Sequence, residues 1–296
     1  MEKINIQFTL FSAFYAPLIA TMSGGFLKEE GLDGDWSVSP PGKSAIVALE
    51  EGTAHVVQSA LSQGFTPLNK GEEPTVVHFA QINEMDGFFI TGRESDPEFS
   101  WDRLEGAEVV MFGGGQPAAM FKYACHRAGI DFDRIIQITP GGPGPMDEAF
   151  RAGQGQYIQQ QGPFPQQLEA DGVGHVVAQV GPQIGPVGFS SLAATRPWLE
   201  TEMAAAFMRA YRKTRLYMNQ ETAAEIGRAQ RPYFPDIDED VLVDCIATYQ
   251  KLGCWTPHVD ITPAAFAAVL DVFEYNGLIN ERYSYDQICS APPGDD

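Results

Sequence analysis

Three short stretches of this chain combine residue types and spacings that could hold a small molecule. Gly113-Gly114-Gly115-Gln116-Pro117 falls between a hydrophobic run at 107–112 and the helical pattern that follows it. Free backbone N–H groups at such a junction lie at the positive end of the helix dipole, where they can hold a carboxylate, sulfonate or phosphate. The same glycines would equally serve a tight turn that lets strand and helix approach. Ala118 stands where Gly-x-Gly-x-x-Gly needs its last glycine, and the Lys-Ser/Thr pair of a P-loop is missing, which argues against a nucleotide. Gly42-Lys43-Ser44 sets a cation beside a second helix start, with Ser44 serving either as N-cap or as ligand contact. Ser59 closes another hydrophobic run. Gln159-Gln160-Gln161-Gly162-Pro163 offers neutral donors and acceptors, which suit carboxamide, pyrimidine or hydroxyl groups better than a bare cation. Gly114, Gly115, Gln116, Gln159 and Gln160 are therefore candidate ligand contacts.

Other chemistries find no pattern. The five histidines, His55, His78, His126, His175 and His258, form no i, i+4 pair and no His-Glu-x-x-His. Cys125, Cys245, Cys254 and Cys289 make no Cys-x-x-Cys, and there is no Gly-x-Ser-x-Gly elbow. Asp236-Ile237-Asp238-Glu239-Asp240 lacks the glycine and the spaced glutamate of a calcium loop and reads as an acidic helix start. No metal, no cofactor and no catalytic residue are expected.

The elements that must carry the candidates alternate. Ile4, Ile6 and Phe8 alternate with polar neighbours as a strand does, and from Pro17 the spacing of Leu18, Ile19, Met22, Phe26 and Leu27 becomes helical as far as Gly31. Strands are predicted at 36–39, 55–61, 74–82, 87–91, 107–112, 135–138 and 156–158, with a Gln-rich loop at 159–167. After a return near 187–195 the pattern is helical, at 200–219, 240–252 and 263–276. The fold class is α/β, with mostly parallel sheets covered by helices.

Length and charge bound the function. A chain of 296 residues can build two cores of about 100 to 150 residues each. Nineteen Lys plus Arg against thirty-nine Asp plus Glu give a net charge of −20, which repels nucleic-acid backbones and anionic lipid surfaces. The first residues carry no basic, apolar and small-residue export pattern, so the expected location is cytoplasmic if the sequence is complete, and periplasmic or extracellular if a signal was trimmed.

The order strand, aromatic loop (Phe11-Ser12-Ala13-Phe14-Tyr15), Pro-started helix and Gly25-Phe26-Leu27-Lys28-Glu29-Glu30-Gly31-Leu32-Asp33 resembles the opening of the solute-binding proteins of the nitrate/sulfonate/taurine and thiamin-pyrimidine type. That resemblance implies two Rossmann-like lobes joined by two crossing strands, the periplasmic-binding-protein type II fold. Residues 1–86 with 190–296 would form the first lobe and 87–189 the second. It implies a small sulfonate, carboxylate or pyrimidine-like solute held as the lobes close, a monomer, and an ABC permease as partner. By position it nominates Ser12, Phe14, Tyr15, Lys43, Ser44 and Ser59 from the first lobe, faced by the 159–163 segment from the second. Enzymes on the same scaffold are the alternative. The thiamin-pyrimidine synthase carries a cysteine-rich stretch that is missing here, with Ser59 and Gln63 near the places of its Lys and His. The aromatic sulfinate desulfinase needs a cysteine in the loop that here reads Phe11-Ser12-Ala13.

Overall fold

The computed structural model describes residues 1–294. Its strands are β1 (Glu2–Phe8), β2 (Leu32–Val38), β3 (Val56–Ser59), β4 (Val76–Asn83), β5 (Phe88–Gly92), β6 (Glu108–Val110), β7 (Ile136–Ile138), β8 (Tyr157–Gln161), β9 (His175–Gln179) and β10 (Ser190–Thr195). They form two five-stranded sheets, ordered β2-β1-β3-β10-β4 and β7-β6-β8-β5-β9. In β1 the alternation is realised: Ile4, Ile6 and Phe8 are buried while Asn5 and Gln7 are half-buried. β3 is buried at every position, as a central strand covered on both faces must be, and so is the edge strand β4, whose outer side is covered by the Val259 and Cys289–Ser290 segments.

The chain leaves the first sheet after Asn83, enters the second at Phe88, leaves that after Gln179 and returns at Ser190. β10 then inserts antiparallel between β3 and β4, with Ser191 opposite both Ser59 and Gln81. The carboxyl ends of β1, β3 and β4 therefore share one edge with the first residue of β10. In the second sheet β6 runs parallel to β7 and β8, and β5 runs antiparallel to β8 and β9. This is the two-lobe, type II α/β architecture.

Several elements differ from the sequence expectation, each for a physical reason. The helix predicted from Pro17 to Gly31 is two, Ala16–Ser23 and Phe26–Glu29, because Gly25 between them has φ of 79°. The aromatic loop contains a 3-10 turn at Ala13–Tyr15. The loop expected at 159–167 is instead strand as far as Gln161: Gln159, Gln160 and Gln161 pair with Ile90, Phe89 and Phe88, so the ladder overrides the weak strand preference of glutamine. β9 and the helix Ala223–Gln230 were not anticipated; β9 is an edge strand, exposed or half-buried throughout, without a clear alternation.

The carboxyl-terminal helices Glu202–Gln220, Glu239–Leu252 and Pro263–Tyr275 bind the parts together. Glu239–Leu252 packs on Ala223–Gln230 and also on Phe164–Ala170, the helix that follows β8 in the second sheet. Arg215, on Glu202–Gln220, is fully buried and has no acidic partner. Its guanidinium donates to the Ile82 carbonyl at 2.6 Å, the Thr256 carbonyl at 2.7 Å and the Thr256 hydroxyl at 2.9 Å. Three backbone segments thus meet on one cation, just before the first crossing between sheets. Arg215→Met should lower the unfolding free energy by about 3 kcal/mol, because two buried carbonyls lose their donors. Urea unfolding with an unchanged m-value would check it.

Candidate ligand site between the lobes

The crossing segments bring a set of buried polar groups together. The first contributions come from the loop after β1. Gln58 accepts from Thr9 N at 3.0 Å and Leu10 N at 3.1 Å, and the Thr9 hydroxyl accepts from Ala45 N at 3.1 Å. The loops after β1 and β2 are held to one another through that hydroxyl. Ser12 ends this stretch: its Oγ accepts from Phe14 N at 3.0 Å and donates to the Gly162 carbonyl of the second lobe at 2.5 Å.

Gly162 is gripped from its other side as well. Its N–H donates to the Tyr249 hydroxyl at 2.6 Å, and that hydroxyl donates to the Gly87 carbonyl at 3.0 Å. A Cβ on Gly162 would stand 2.3 Å from Cys245 Sγ, and one on Gly87 would stand 2.2 Å from the Phe14 ring. Both positions demand glycine because side chains from elsewhere fill the space.

The eleven candidates lie in different settings. Ser12 and Tyr15 are buried at the junction; the Tyr15 hydroxyl interacts with Gln161 at 3.4 Å and with Ser190, and burial pushes its phenol up to about 12. Phe14 is fully buried against Phe189, Tyr249 and Tyr15, with its carbonyl accepting from Trp255 Nε1 at 3.0 Å, so it packs the junction. Lys43 is exposed, and Ser44 is half-buried with its Oγ accepting from Ile46 N, which is a helix-start role. Ser59 is 2% exposed and its hydroxyl has no hydrogen-bond partner in the protein. Gly114 and Gly115 are exposed at the start of the helix Gly115–Arg127, and Gly115 has φ of 70°. Gln116 is buried, with its amide nitrogen donating to the Phe189 carbonyl and its Oε1 unpartnered.

Strand alternation separates the two glutamine candidates. Gln159 shares a face of β8 with Gln161 and is fully buried, with neither amide atom partnered. Gln160 points to the opposite face, where its nitrogen donates to the Pro143 carbonyl at 3.3 Å. The two are therefore not brought together, which is the consequence of finding strand where a loop was expected.

Asn83, Asp86, Gln161, Ser190 and Tyr249 also belong to this junction and were missed from sequence. Asp86 is fully buried: Oδ1 accepts from Phe88 N at 2.7 Å, Oδ2 has no partner, and burial pushes the carboxyl up to about 7. Asn83, opposite Ser190, leaves both amide atoms unpartnered. The polar run Asn83-Glu84-Met85-Asp86-Gly87 after an apolar strand was a usable signal for two of them. Nothing local marks Tyr249, which reaches the site from the far end of the chain. All four cysteines are buried, and burial pushes each thiol away from the reactive thiolate. Among the described residues no three His, Cys, Asp or Glu side chains gather as metal ligands would.

A family model described as NMT1/THI5 like matches residues 13–223, a span that includes the Ser59, Gln116 and Gln159 positions. The chain belongs to the NMT1/THI5-like family. It is 27% identical over 294 residues to "Putative binding protein YtlA" of Bacillus subtilis (strain 168), covering 98% of this chain and 88% of that one. In fold it is similar to the ligand-binding component of an ABC-type import system from Staphylococcus aureus, with TM-score 0.77, 17% identity, and coverage of 98% and 97%. The alkanesulfonate-binding protein SsuA from Xanthomonas axonopodis pv. citri, solved with MOPS bound, gives TM-score 0.76 at 14% identity, with coverage of 98% and 99%.

Two measurements follow. Tyr249→Phe strands the Gly162 N–H and the Gly87 carbonyl and should cost about 2 kcal/mol in urea unfolding. Tyr275→Phe, on a ring 42% exposed, is the control and should stay within about 0.5 kcal/mol of the parent. The second concerns pH. The folded state keeps a proton on Asp86 up to about pH 7, whereas the unfolded carboxyl loses it near pH 4, so this group costs stability progressively as pH rises from 4 to 7. His78, buried and held down to about 3, acts in the opposite direction: it costs stability as pH falls from about 6.5 towards 3. Asp86→Asn should therefore gain stability relative to the parent as pH rises from 4 to 7, at up to about 1.4 kcal/mol per pH unit. Denaturation of both proteins at pH 4.5, 5.5 and 6.5 reads that difference.

Proposed function

We propose that the protein is the solute-binding component of an ABC-type importer, capturing a small organic solute between two lobes and delivering it to a permease on the outer side of the membrane. The lobes would comprise residues 1–86 with 190–296, and 87–189. The observation that carries this is the junction itself. In support, Ser59 ends β3 in the first sheet, Gln159 lies in β8 of the second and Gln116 lies on the helix Gly115–Arg127, and each keeps a buried polar atom without a partner among the described residues. Leaving such atoms dry costs about 1–3 kcal/mol each, so a ligand that satisfies them has binding free energy waiting. Supporting it are membership of the family, the binding-protein name carried by the Bacillus subtilis relative, and the import-system names of the structural neighbours.

Closure follows the same logic. A solute that bonds to groups of both lobes favours the shut arrangement by as much as its affinity for that arrangement exceeds that for the open one. The Ser12 and Tyr249 bonds to Gly162 would join the two proposed lobes in the shut arrangement and so add to that preference.

A melting-temperature screen against sulfonates, carboxylates, nitrate and pyrimidines tests the proposal. A true solute at 100 times its Kd should add about 2.7 kcal/mol of stability. Ser59→Ala and Gln159→Leu should each weaken that solute about tenfold, or 1.4 kcal/mol. Turnover of a solute that fails to stabilise the protein would point to an enzyme instead.

A further inference from the structure

The junction has a chemical sign. Gln116 is oriented without ambiguity, because its amide nitrogen donates to the Phe189 carbonyl; the atom left over is the acceptor Oε1. Asp86 is anchored through Oδ1 on Phe88 N, and the atom left over, Oδ2, is again an acceptor once the carboxyl has given up its proton, which burial delays to about pH 7. The two are joined by a short path. Phe189 precedes Ser190, Ser190 bonds to Tyr15, and the Asp86 charge is felt at Tyr15.

Among the described residues no cation pairs with these acceptors. The Asp86 carboxyl is bonded to the Phe88 N–H and forms no ion pair there. The fully buried guanidinium, Arg215, is committed to Ile82 and Thr256, and the buried imidazole, His78, faces Ser191 at 2.7 Å and is neutral. An anion placed here would meet a carboxyl with nothing to offset the repulsion, while a group bearing N–H would find two acceptors ready.

We infer that the solute bound between the lobes presents N–H donors and carries no net negative charge, with Asp86 Oδ2 and Gln116 Oε1 accepting from it. This inference rests on the solute-binding role proposed above. It sets the protein apart in ligand chemistry from a structural neighbour named for alkanesulfonates. An anion site, if one operates, would have to use exposed Lys43 or the Gly113–Gly115 turn instead.

The test uses the full chain at about pH 8.5, above the Asp86 titration, and five small probes at constant ionic strength: acetamidinium, ethylammonium and propionamide against ethanesulfonate and nitrate. Binding is read by tryptophan fluorescence and melting temperature. The N–H probes should bind and the two anions should not. Asp86→Asn should weaken acetamidinium at least about tenfold while leaving propionamide within about threefold, since only the former gains from a full charge. If ethanesulfonate or nitrate binds and the N–H probes do not, the inference is wrong and the solute-binding role stands. If none of the five binds, the inference is wrong, and the wider melting-temperature screen decides the solute-binding role separately. Equal binding of acetamidinium to the parent and to Asp86→Asn removes Asp86 from the site. The selectivity of the parent chain decides the question of charge even where Asp86→Asn does not fold.

Discussion

One residue, Gly162, ties together the segments that meet between the two sheets. Its carbonyl accepts from Ser12, at the end of the first strand's loop, and its N–H donates to Tyr249, on a helix near the far end of the chain. Buried backbone groups must find partners, and here they find them in side chains from distant parts of the chain, not within a sheet. The local absence of side chains follows from the same crowding: at Gly162 and Gly87 a methyl group would collide with Cys245 or Phe14. Sequence positions 12, 87, 162 and 249 are thereby tied into a single contact.

Around that contact the protein accepts a cost. Ser59, Asn83, Asp86, Gln116 and Gln159 are polar, buried and incompletely satisfied, in a region where apolar residues would pack more stably. Elsewhere the interior is conventional, with buried apolar side chains on both faces of the central strands and Arg215 fully bonded to carbonyl and hydroxyl oxygens. Unmet hydrogen-bonding capacity is not confined to these five, since Thr91, Trp198 and Gln230 also keep buried polar atoms without a partner, and it is the proposed solute role that gives the cost at the five a return in recognition.

Much of the architecture was legible because hydrophobic alternation is a local signal. Ile4, Ile6 and Phe8 announce a strand, and the opening segment resembles a family to which the chain belongs. The site was harder to read. Gln159 and Gln160 look equivalent in sequence, yet strand pairing sends them to opposite faces, a distinction that depends on partners in β5. Phe14 looks like a ligand wall and is a packing residue, because Gly87, Phe189 and Tyr249 arrive around it from distant parts of the chain. Tyr249 acquires meaning only through tertiary neighbours, and no periodicity or spacing encodes those.

The place of β10 between β3 and β4 sets the order in which the chain can be assembled. β5 to β9 are contiguous in sequence, so the second sheet holds all its strands once residue 179 is available. The first sheet cannot close until residues 190–195 arrive, more than a hundred residues after β4, and until then β3 and β4 lack the strand that lies between them. Such distant pairing is slow to form and leaves strand edges open while it waits. The piece of the molecule synthesised first is therefore the last to be completed, and any factor that guards the nascent chain has β3 and β4 to protect.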